Sequence, residues 1–195
     1  MNIKAVIKNL VNSKGISGNE NSVCETALNL LKEYCPDAYI KNGNVIGKFG
    51  SFKEKRPHIL LDAHIDQVGM IVTYITDDGF IKVGNVGGLD RRLLPAQQVT
   101  IHGEKDIKGI ICSVPPHLTK GKSAVLKIEE VSIDTGYSKE ELEKIVTPGD
   151  MVTFDTFYTE LLNDRITASA LDDRCGIASV LYALDQLKDS QLECN

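Results

Sequence analysis

The chain has 195 residues, of which 42% are hydrophobic and 25% are charged, and its formal net charge at pH 7 is -5. This composition is typical of a globular protein and argues against extended disorder. The acidic balance lacks the basic surface of proteins that bind nucleic acid or anionic membranes, so we expect neither partner.

The amino-terminal segment and the cysteines indicate the compartment. Lysines interrupt the apolar residues of the first 15 positions, so the continuous apolar core of a secretory signal is missing. No later stretch approaches the roughly 20 apolar residues of a membrane helix. The five cysteines form no Cys-x-x-Cys pair, which argues against a disulfide framework and a zinc knuckle. We therefore expect a reduced, cytoplasmic protein.

The first third of the sequence has an α/β pattern. Helical apolar spacing over residues 1–35 predicts two helices separated by "GISGNE" at 15–20. Asn42-Gly43 lies between two short apolar runs and predicts a hairpin with a tight turn. The continuous apolar run Ile59-Leu60-Leu61 in "HILLDAHID" predicts a strand over 58–63 that is buried on both faces, as in an α/β sheet.

The middle of the sequence is rich in short β-type runs separated by turn residues. Such runs predict a small barrel or sandwich inserted into the α/β domain. The runs are "MIVTYI", "FIKVGNV", "QQVTIHG", "IKGIICSV", "AVLKIEEVSI" and "DMVTFDTF". Within this part, Ser138 and Glu141 match a capping box and predict one helix in "SKEELEKIV".

The α/β pattern returns near residue 161, where "ITASALDDRCGIASVLYALDQLKD" leads into apolar residues at helical spacing. The sequence therefore predicts three segments. Residues 1–69 form the first part of a catalytic α/β domain, 70–160 form a β-rich lobe, and 161–195 form a second, short part of the α/β domain.

His64 and Asp66 are the first candidate site residues. In a strand, side chains two positions apart share a face, and the carboxyl ends of strands in open α/β sheets bind ligands. An imidazole that coordinates a metal commonly donates its other N–H to a carboxylate. The alternative is that His64 only caps the strand through a hydrogen bond. His58, His102 and His117 are interpreted as structural or solvated.

Asp172 and Asp173 in "ALDDRCG" are the second candidate. Adjacent carboxylates repel each other unless a cation or a hydrogen-bond donor neutralises them, and a metal ion would do so. The alternative is that one of them caps the following helix, with Arg174 as a salt-bridge partner. The glycine-rich "GNVGGLD" at 84–90 is interpreted as a turn, because the helix and lysine of a phosphate loop do not follow it.

Four motifs together resemble a known family. "GISGNE", "AHIDQVGM", "NVGG" and "ALDDRCG", in this order and with a β-rich insert between the second and fourth, resemble the dinuclear-metal tetrahedral and glutamyl aminopeptidases, metallopeptidase family forty-two. Some members carry an endoglucanase label. The resemblance covers essentially the whole chain. It implies a zinc-peptidase-like α/β/α sandwich, incomplete here, with an inserted small β-barrel lobe that dimerises and helps to build large homo-oligomers.

The resemblance also implies roles for individual residues. His64 resembles a ligand of one metal, Asp66 the carboxylate that orients it in the catalytic site, and Asp172 the aspartate that bridges two metals. Asp173 follows it through an unusual peptide bond. The implied cofactors are two divalent ions, zinc or cobalt, and the implied substrate is a peptide with a free amino terminus. Gln67 stands where many relatives have glutamate.

One departure from the family pattern affects the expected activity. After the helix that follows "ALDDRCG", members continue into a strand that ends in a Glu-Glu pair, which gives the general base and a ligand, and they later supply another aspartate and a histidine. No counterpart of these follows that helix in this sequence. A catalytic zinc takes about three protein ligands and a water, and the sequence supplies His64 and Asp172. We therefore expect the amino-terminal part of an aminopeptidase, inactive or very weak alone. The alternatives are a non-catalytic remnant for oligomerisation or partner binding, and an endoglucanase-like glycosidase with two carboxylates flanking a sugar bond.

Overall fold

The computed structural model describes residues 1–50, 53, 55–113, 125–155 and 157–195. The chain divides into two compact units. Unit 1 contains residues 1–67 and 157–195, and unit 2 contains residues 68–156. The β-rich unit thus begins two residues before the expected position 70 and ends four residues before 160. Its assignment to dimerisation, and that of unit 1 to catalysis, stay predictions.

The described residues form four α-helices and ten strands. The helices are α1 (Ile3–Asn12), α2 (Asn21–Lys32), α3 (Lys139–Leu142) and α4 (Leu171–Leu187). The strands are β1 (Tyr39–Lys41), β2 (Asn44–Ile46), β3 (Gly69–Ile75), β4 (Ile81–Val86), β5 (Gln98–His102), β6 (Asp106–Ile111), β7 (Ser132–Asp134), β8 (Met151–Phe154), β9 (Thr159–Leu161) and β10 (Arg165–Thr167). None of the described helices is long and apolar enough to span a membrane.

The core of unit 1 lies between its three helices. One face of α1 buries Ile7, Leu10 and Val11 against Ala27 of α2 and Ala178 of α4. The helical spacing read from the sequence is the cause, because residues three and four apart lie on one side of a helix. The two amino-terminal helices are therefore confirmed, and together with the β1–β2 and β9–β10 hairpins they give unit 1 its α/β character.

The β1–β2 hairpin confirms the predicted tight turn. The two strands pair antiparallel, and Lys41 lies opposite Asn44. The backbone φ angles of Asn42 and Gly43 are 51° and 75°. A primed two-residue turn needs positive φ at both central positions, and asparagine and glycine tolerate that conformation better than other residues.

The predicted buried strand over 58–63 is wrong. No β-ladder forms on residues 57–66, and the exposed fractions of Ile59, Leu60 and Leu61 are 61%, 87% and 52%. The Ile59 N–H donates to the Asn195 carbonyl, and the Asn195 N–H donates to the Pro57 carbonyl, both at 2.8 Å. An apolar run is buried on both faces only where neighbouring strands and helices cover it, and the described residues do not cover this run.

Unit 2 is a closed barrel with the strand order β3-β4-β7-β6-β5-β8, and adjacent strands pair antiparallel. The predicted inserted barrel is confirmed, and closure excludes the sandwich alternative. The barrel has its own apolar core. Its buried members are Met70, Val72, Ile81, Val83, Leu94, Val99, Ile101, Ile107, Ile111, Val131, Ile133, Leu142, Val146 and Val152.

Two local predictions in unit 2 have different outcomes. The capping box is confirmed, because Ser138 Oγ accepts from the Glu141 N–H at 3.3 Å and Glu141 Oε2 accepts from the Ser138 N–H at 2.8 Å. The β-run over 124–133 is largely wrong, because Ile128–Glu130 form a 3₁₀ turn before β7. The Glu130 carboxylate accepts from the Lys127 N–H at 2.7 Å, and such a local bond competes with strand pairing. Residues 114–124, with His117, lie outside the described residues.

The exposed Ile59-Leu60-Leu61 run generates a prediction about association. An exposed apolar segment with extended backbone favours self-association through its edge. We expect Leu60→Lys to lower the weight-average mass measured by sedimentation equilibrium at high protein concentration. Leu162→Lys is the control, because Leu162 is equally exposed, at 87%, but lies in the β9–β10 turn. Equal effects of the two substitutions, or a wild-type chain that stays monomeric, would contradict this role of the run.

Candidate metal centre

The imidazole of His64 lies between two carboxylates. His64 Nδ1 is 3.1 Å from Asp66 Oδ1, and His64 Nε2 is 3.1 Å from Asp172 Oδ1. Asp66 comes from the same extended segment, whereas Asp172 is 108 residues further along the chain at the start of α4. The structure therefore brings the two candidate motifs into one cluster, and both ring nitrogens of His64 face a negative group.

Asp66 is held by a second partner from the α1–α2 corner. The Ser17 hydroxyl donates to Asp66 Oδ2, while Asp66 Oδ1 faces His64. The Ser17 hydrogen bond is the largest influence on the carboxyl. It outweighs the effect of burial and, together with His64, lowers the pKa of Asp66 below its ordinary value. Asp66 is therefore a fixed, ionised carboxylate at neutral pH, suited to orienting the imidazole.

The electrostatic environment of His64 favours positive charge. Partial burial acts to lower the pKa of His64, but hydrogen bonds to Asp172 and Asp66 outweigh that effect and raise the pKa above its ordinary value. The negative charge of Asp66 and Asp172 that favours a proton on His64 also favours a metal cation between His64 and Asp172.

Asp172 and Asp173 have different environments although they are adjacent. A cis peptide bond joins them, and neither has helical backbone angles. The Asp172 side chain is 97% exposed, although one of its oxygens lies near His64. Asp173 Oδ1 accepts from the Gly176 N–H at 3.0 Å, so Asp173 acts as the N-cap of the regular part of α4, which begins after the two non-helical aspartates. A Cβ at position 176 would lie 2.5 Å from both Asp173 carboxylate oxygens, so glycine permits this approach.

Arg174 is buried among main-chain carbonyls instead of forming the salt bridge considered from the sequence. Its side chain is fully buried and donates to three main-chain carbonyls. Nε donates to Ile65 at 3.1 Å, and Nη1 donates to Leu10 at 2.7 Å and to Ser13 at 2.6 Å. Burial lowers the pKa of Arg174 to about 10, although the charge of Asp66 opposes that change. The guanidinium therefore stays charged at neutral pH.

The donor chemistry partly fits a divalent metal. Two ligands placed about 2.0 Å from a tetrahedral zinc are roughly 3.3 Å apart, and His64 Nε2 and Asp172 Oδ1 lie 3.1 Å apart. Asp66 faces the other ring nitrogen and so has the position of an orienting carboxylate. The described residues contain no group of three or more histidine, cysteine, aspartate or glutamate side chains that could hold one ion. The residues present therefore fit part of a metal site.

Two contributors to this cluster were missed in the sequence analysis. Ser17 lies in "GISGNE", which was used only as a motif and a helix break, and its contact with Asp66 spans 49 residues. Arg174 was considered only as a salt-bridge partner. Neither role has a short-range signal, because both depend on groups distant in the sequence. His102, interpreted as structural or solvated, lies 2.8 Å from both Asp106 Oδ1 and Thr153 Oγ1 in the barrel.

Comparisons with known proteins are consistent with one another. A sequence profile of the M42 glutamyl aminopeptidase family matches residues 43–195. The lysyl aminopeptidase of Pyrococcus furiosus is 29% identical over 196 residues, covering 96% of this chain and 56% of that protein. This chain spans about half the length of the curated relatives it matches.

Solved structures are also similar to the whole chain. The aminopeptidase APDkam598 of Desulfurococcus kamchatkensis is 35% identical with a TM-score of 0.86, covering 94% of this chain and 52% of that one. The Pyrococcus horikoshii TET1 peptidase, which can assemble into a tetrahedron or a large octahedral shell, is 32% identical with a TM-score of 0.85. That alignment covers 98% of this chain and 58% of the TET1 chain.

The different environments of Asp172 and Asp173 generate a stability prediction. We expect Asp173→Ala to lower the free energy of unfolding by about 0.5–2 kcal/mol, because it removes the cap of α4. Asp172→Ala is the adjacent control and is expected to change stability by less than about 0.5 kcal/mol, as exposed positions usually do. Urea denaturation followed by circular dichroism measures both. A larger loss for Asp172→Ala than for Asp173→Ala would contradict the assignment of the cap.

Proposed function

The chain belongs to the M42 glutamyl aminopeptidase family, and we propose that it supplies the first metal-binding residues of a metal-dependent aminopeptidase that removes amino-terminal residues from peptides. The observation that carries this proposal is His64, whose two ring nitrogens each lie 3.1 Å from a carboxylate oxygen. A metal-binding imidazole uses one nitrogen for the ion and the other for an orienting carboxylate.

Each residue of the cluster has a distinct role in this proposal. His64 and Asp172 would hold a metal ion, and Asp66, held by Ser17, fixes the tautomer and orientation of His64. Asp173 supports the site by capping the regular part of α4 directly after Asp172. Asp172 is exposed, so its carboxylate would also be available to a second ion.

The proposed cofactors are two divalent ions, zinc or cobalt, because imidazole and carboxylate together suit these metals. When bound, such ions supply Lewis acidity that polarises a peptide carbonyl and lowers the pKa of water. Two converging protein donors fall short of the roughly three that a catalytic zinc takes. We therefore propose that these 195 residues alone bind metal weakly and turn over little or no substrate.

Assembly and location are part of the same proposal. We propose a homo-oligomer formed through unit 2, supported by large exposed apolar side chains there, including Tyr74, Leu93 and Ile110. The TET1 peptidase, which can assemble into a tetrahedron or a large octahedral shell, also supports this proposal. The alternative of a non-catalytic remnant is less favoured, because a chain retained only for oligomerisation would not need His64 to lie between two carboxylates. The cluster also fits a glycosidase poorly, because both carboxylates contact one imidazole. Five free cysteines suit a reducing compartment such as the cytoplasm.

The metal-binding part of the proposal is tested with zinc and cobalt alone. We expect His64→Ala and Asp172→Ala to weaken binding of either ion by more than about tenfold in isothermal titration calorimetry, because each removes a donor. Asp78→Ala is the control, since Asp78 is an exposed carboxylate in the turn between β3 and β4 of unit 2. Wild-type affinity in both variants would contradict this assignment of donors.

The activity part of the proposal is tested with peptides whose amino terminus is free or acetylated. Because this proposal assigns none of the described residues as a general base, turnover by this chain with zinc or cobalt should be about 10²- to 10⁴-fold lower than that of the Pyrococcus furiosus lysyl aminopeptidase assayed in parallel. Any turnover should require the free amino terminus. Comparable rates would contradict the partial site, and cleavage of acetylated peptides would contradict an aminopeptidase.

A further inference from the structure

Arg174 connects the two parts of the candidate metal centre. Its Nε donates to the carbonyl of Ile65, the residue between His64 and Asp66. Arg174 itself lies two residues after Asp172 in the chain. The Arg174 side chain therefore contacts the segment that carries His64, and its main chain lies close in sequence to Asp172, the other proposed donor.

The remaining two bonds attach Arg174 to the end of α1. Its Nη1 donates to the carbonyls of Leu10 and Ser13, which lie in the last turn of that helix and at its C-cap. The partial negative charge at the carboxyl end of a helix favours a cation there, although the Leu10 carbonyl also accepts from the Ser13 N–H at 3.1 Å. We call the carbonyls of Leu10, Ser13 and Ile65 the carbonyl cluster.

The geometry of the Ile65 contact determines where the neighbouring side chains point. His64 and Asp66 flank Ile65, and their side chains meet, because His64 Nδ1 lies 3.1 Å from Asp66 Oδ1. The Ile65 carbonyl belongs to the peptide plane between Ile65 and Asp66, so the hydrogen bond from Arg174 fixes that plane. The His64 ring and the Asp66 carboxylate depend on that plane for their common direction, and His64 must face Asp172 to within hydrogen-bond distance.

Stability alone is a weak explanation for a charge in this position. Burying an ion carries a large desolvation penalty, and replacing buried charged groups by well-packed apolar residues is often neutral or stabilising. A planar guanidinium offers several donors in a fixed arrangement, which an apolar side chain cannot do. Arg174 therefore contributes a fixed relative placement of three chain segments, which are the end of α1, the segment around Ile65 and the start of α4.

We propose that Arg174 is a positioning residue of the metal centre, which holds His64 and Asp66 in register with Asp172 by binding the carbonyl cluster. This inference rests on the proposed function, because it takes His64 and Asp172 as the metal donors. Arg174 acts through the Ile65 main chain and contacts neither the substrate nor the ion in this role.

The experiment compares the wild-type chain with Arg174→Met, Arg174→Lys and Leu184→Ala. Arg174→Met removes all three hydrogen bonds at similar length, and Arg174→Lys keeps the charge without the planar fork. Leu184→Ala is the matched control, because Leu184 is buried in the same helix and its truncation lowers stability while the carbonyl cluster stays intact. All variants are measured well below their unfolding temperatures.

Two readouts are used, one with metal and one without. The first is the dissociation constant for Co²⁺, which we expect to rise by about 10- to 100-fold in both Arg174 variants, as for other residues that orient ligands. The second is the pair of imidazole ¹⁵N chemical shifts of His64 in the metal-free protein, assigned by comparison with His64→Ala. These shifts should move toward the values of free imidazole in both Arg174 variants and stay at wild-type values in Leu184→Ala.

The outcomes separate this inference from the proposed function. Wild-type affinity and wild-type His64 shifts in both Arg174 variants would overturn the positioning role, as would equal losses in Leu184→Ala. If wild-type chain binds Co²⁺ no better than His64→Ala does, the proposed metal centre fails, and the metal-free shifts still decide whether Arg174 positions His64. If Arg174→Met does not fold, Arg174→Lys provides both readouts.

Discussion

The buried guanidinium of Arg174, carried by α4, donates from Nε and Nη1 to main-chain carbonyls of two other segments, the segment around Ile65 and the end of α1. A charged group without such partners would be expensive in a protein interior. The end of α1, the extended segment around Ile65 and the first turn of α4 must therefore be in place together. The His64 contact with Asp172 is a consequence of that arrangement, because both residues belong to the segments so joined.

The inserted barrel is compatible with the joining of these three segments, because it pairs its own strands and has its own apolar core. Its closed antiparallel ladder pairs strands without leaving a free sheet edge, and its buried apolar residues form a core separate from those of unit 1. Unit 1 is interrupted between residues 67 and 157. Its two parts nevertheless share a core, in which α1 and α2 pack against α4. The candidate metal centre is thus built within unit 1 by residues from both parts.

The cluster around His64 has part of the chemistry of a metal site. An imidazole held by Asp66 and facing Asp172 has the orientation and charge that a metal ligand needs. Coordination number is a separate requirement, and two converging donors do not meet it. The exposed Ile59-Leu60-Leu61 run likewise meets only one of the requirements for burial in a core. Its apolar pattern is that of a buried strand, but burial requires neighbouring elements as well as apolar side chains.

Local interactions were predictable from the sequence by itself. The Asn42-Gly43 turn, the Ser138 capping box and helices α1 and α2 depend on residues a few positions apart, so their patterns are visible in a short window. The inserted barrel followed from repeated short β-runs. His64 and Asp66 were found by their two-residue spacing, and their association with Asp172 came from the resemblance of ordered motifs to a family.

Only the tertiary structure decided which long-range contacts form. It placed Ser17 on Asp66 and buried Arg174 among carbonyls. It also left residues 58–63 without a ladder. Each of these outcomes depends on partners at least 49 residues away, or on the absence of a neighbour in the described part of the chain. The physical reason is that burial and hydrogen bonding are properties of the folded surroundings, which a local pattern indicates only when the partners are also local.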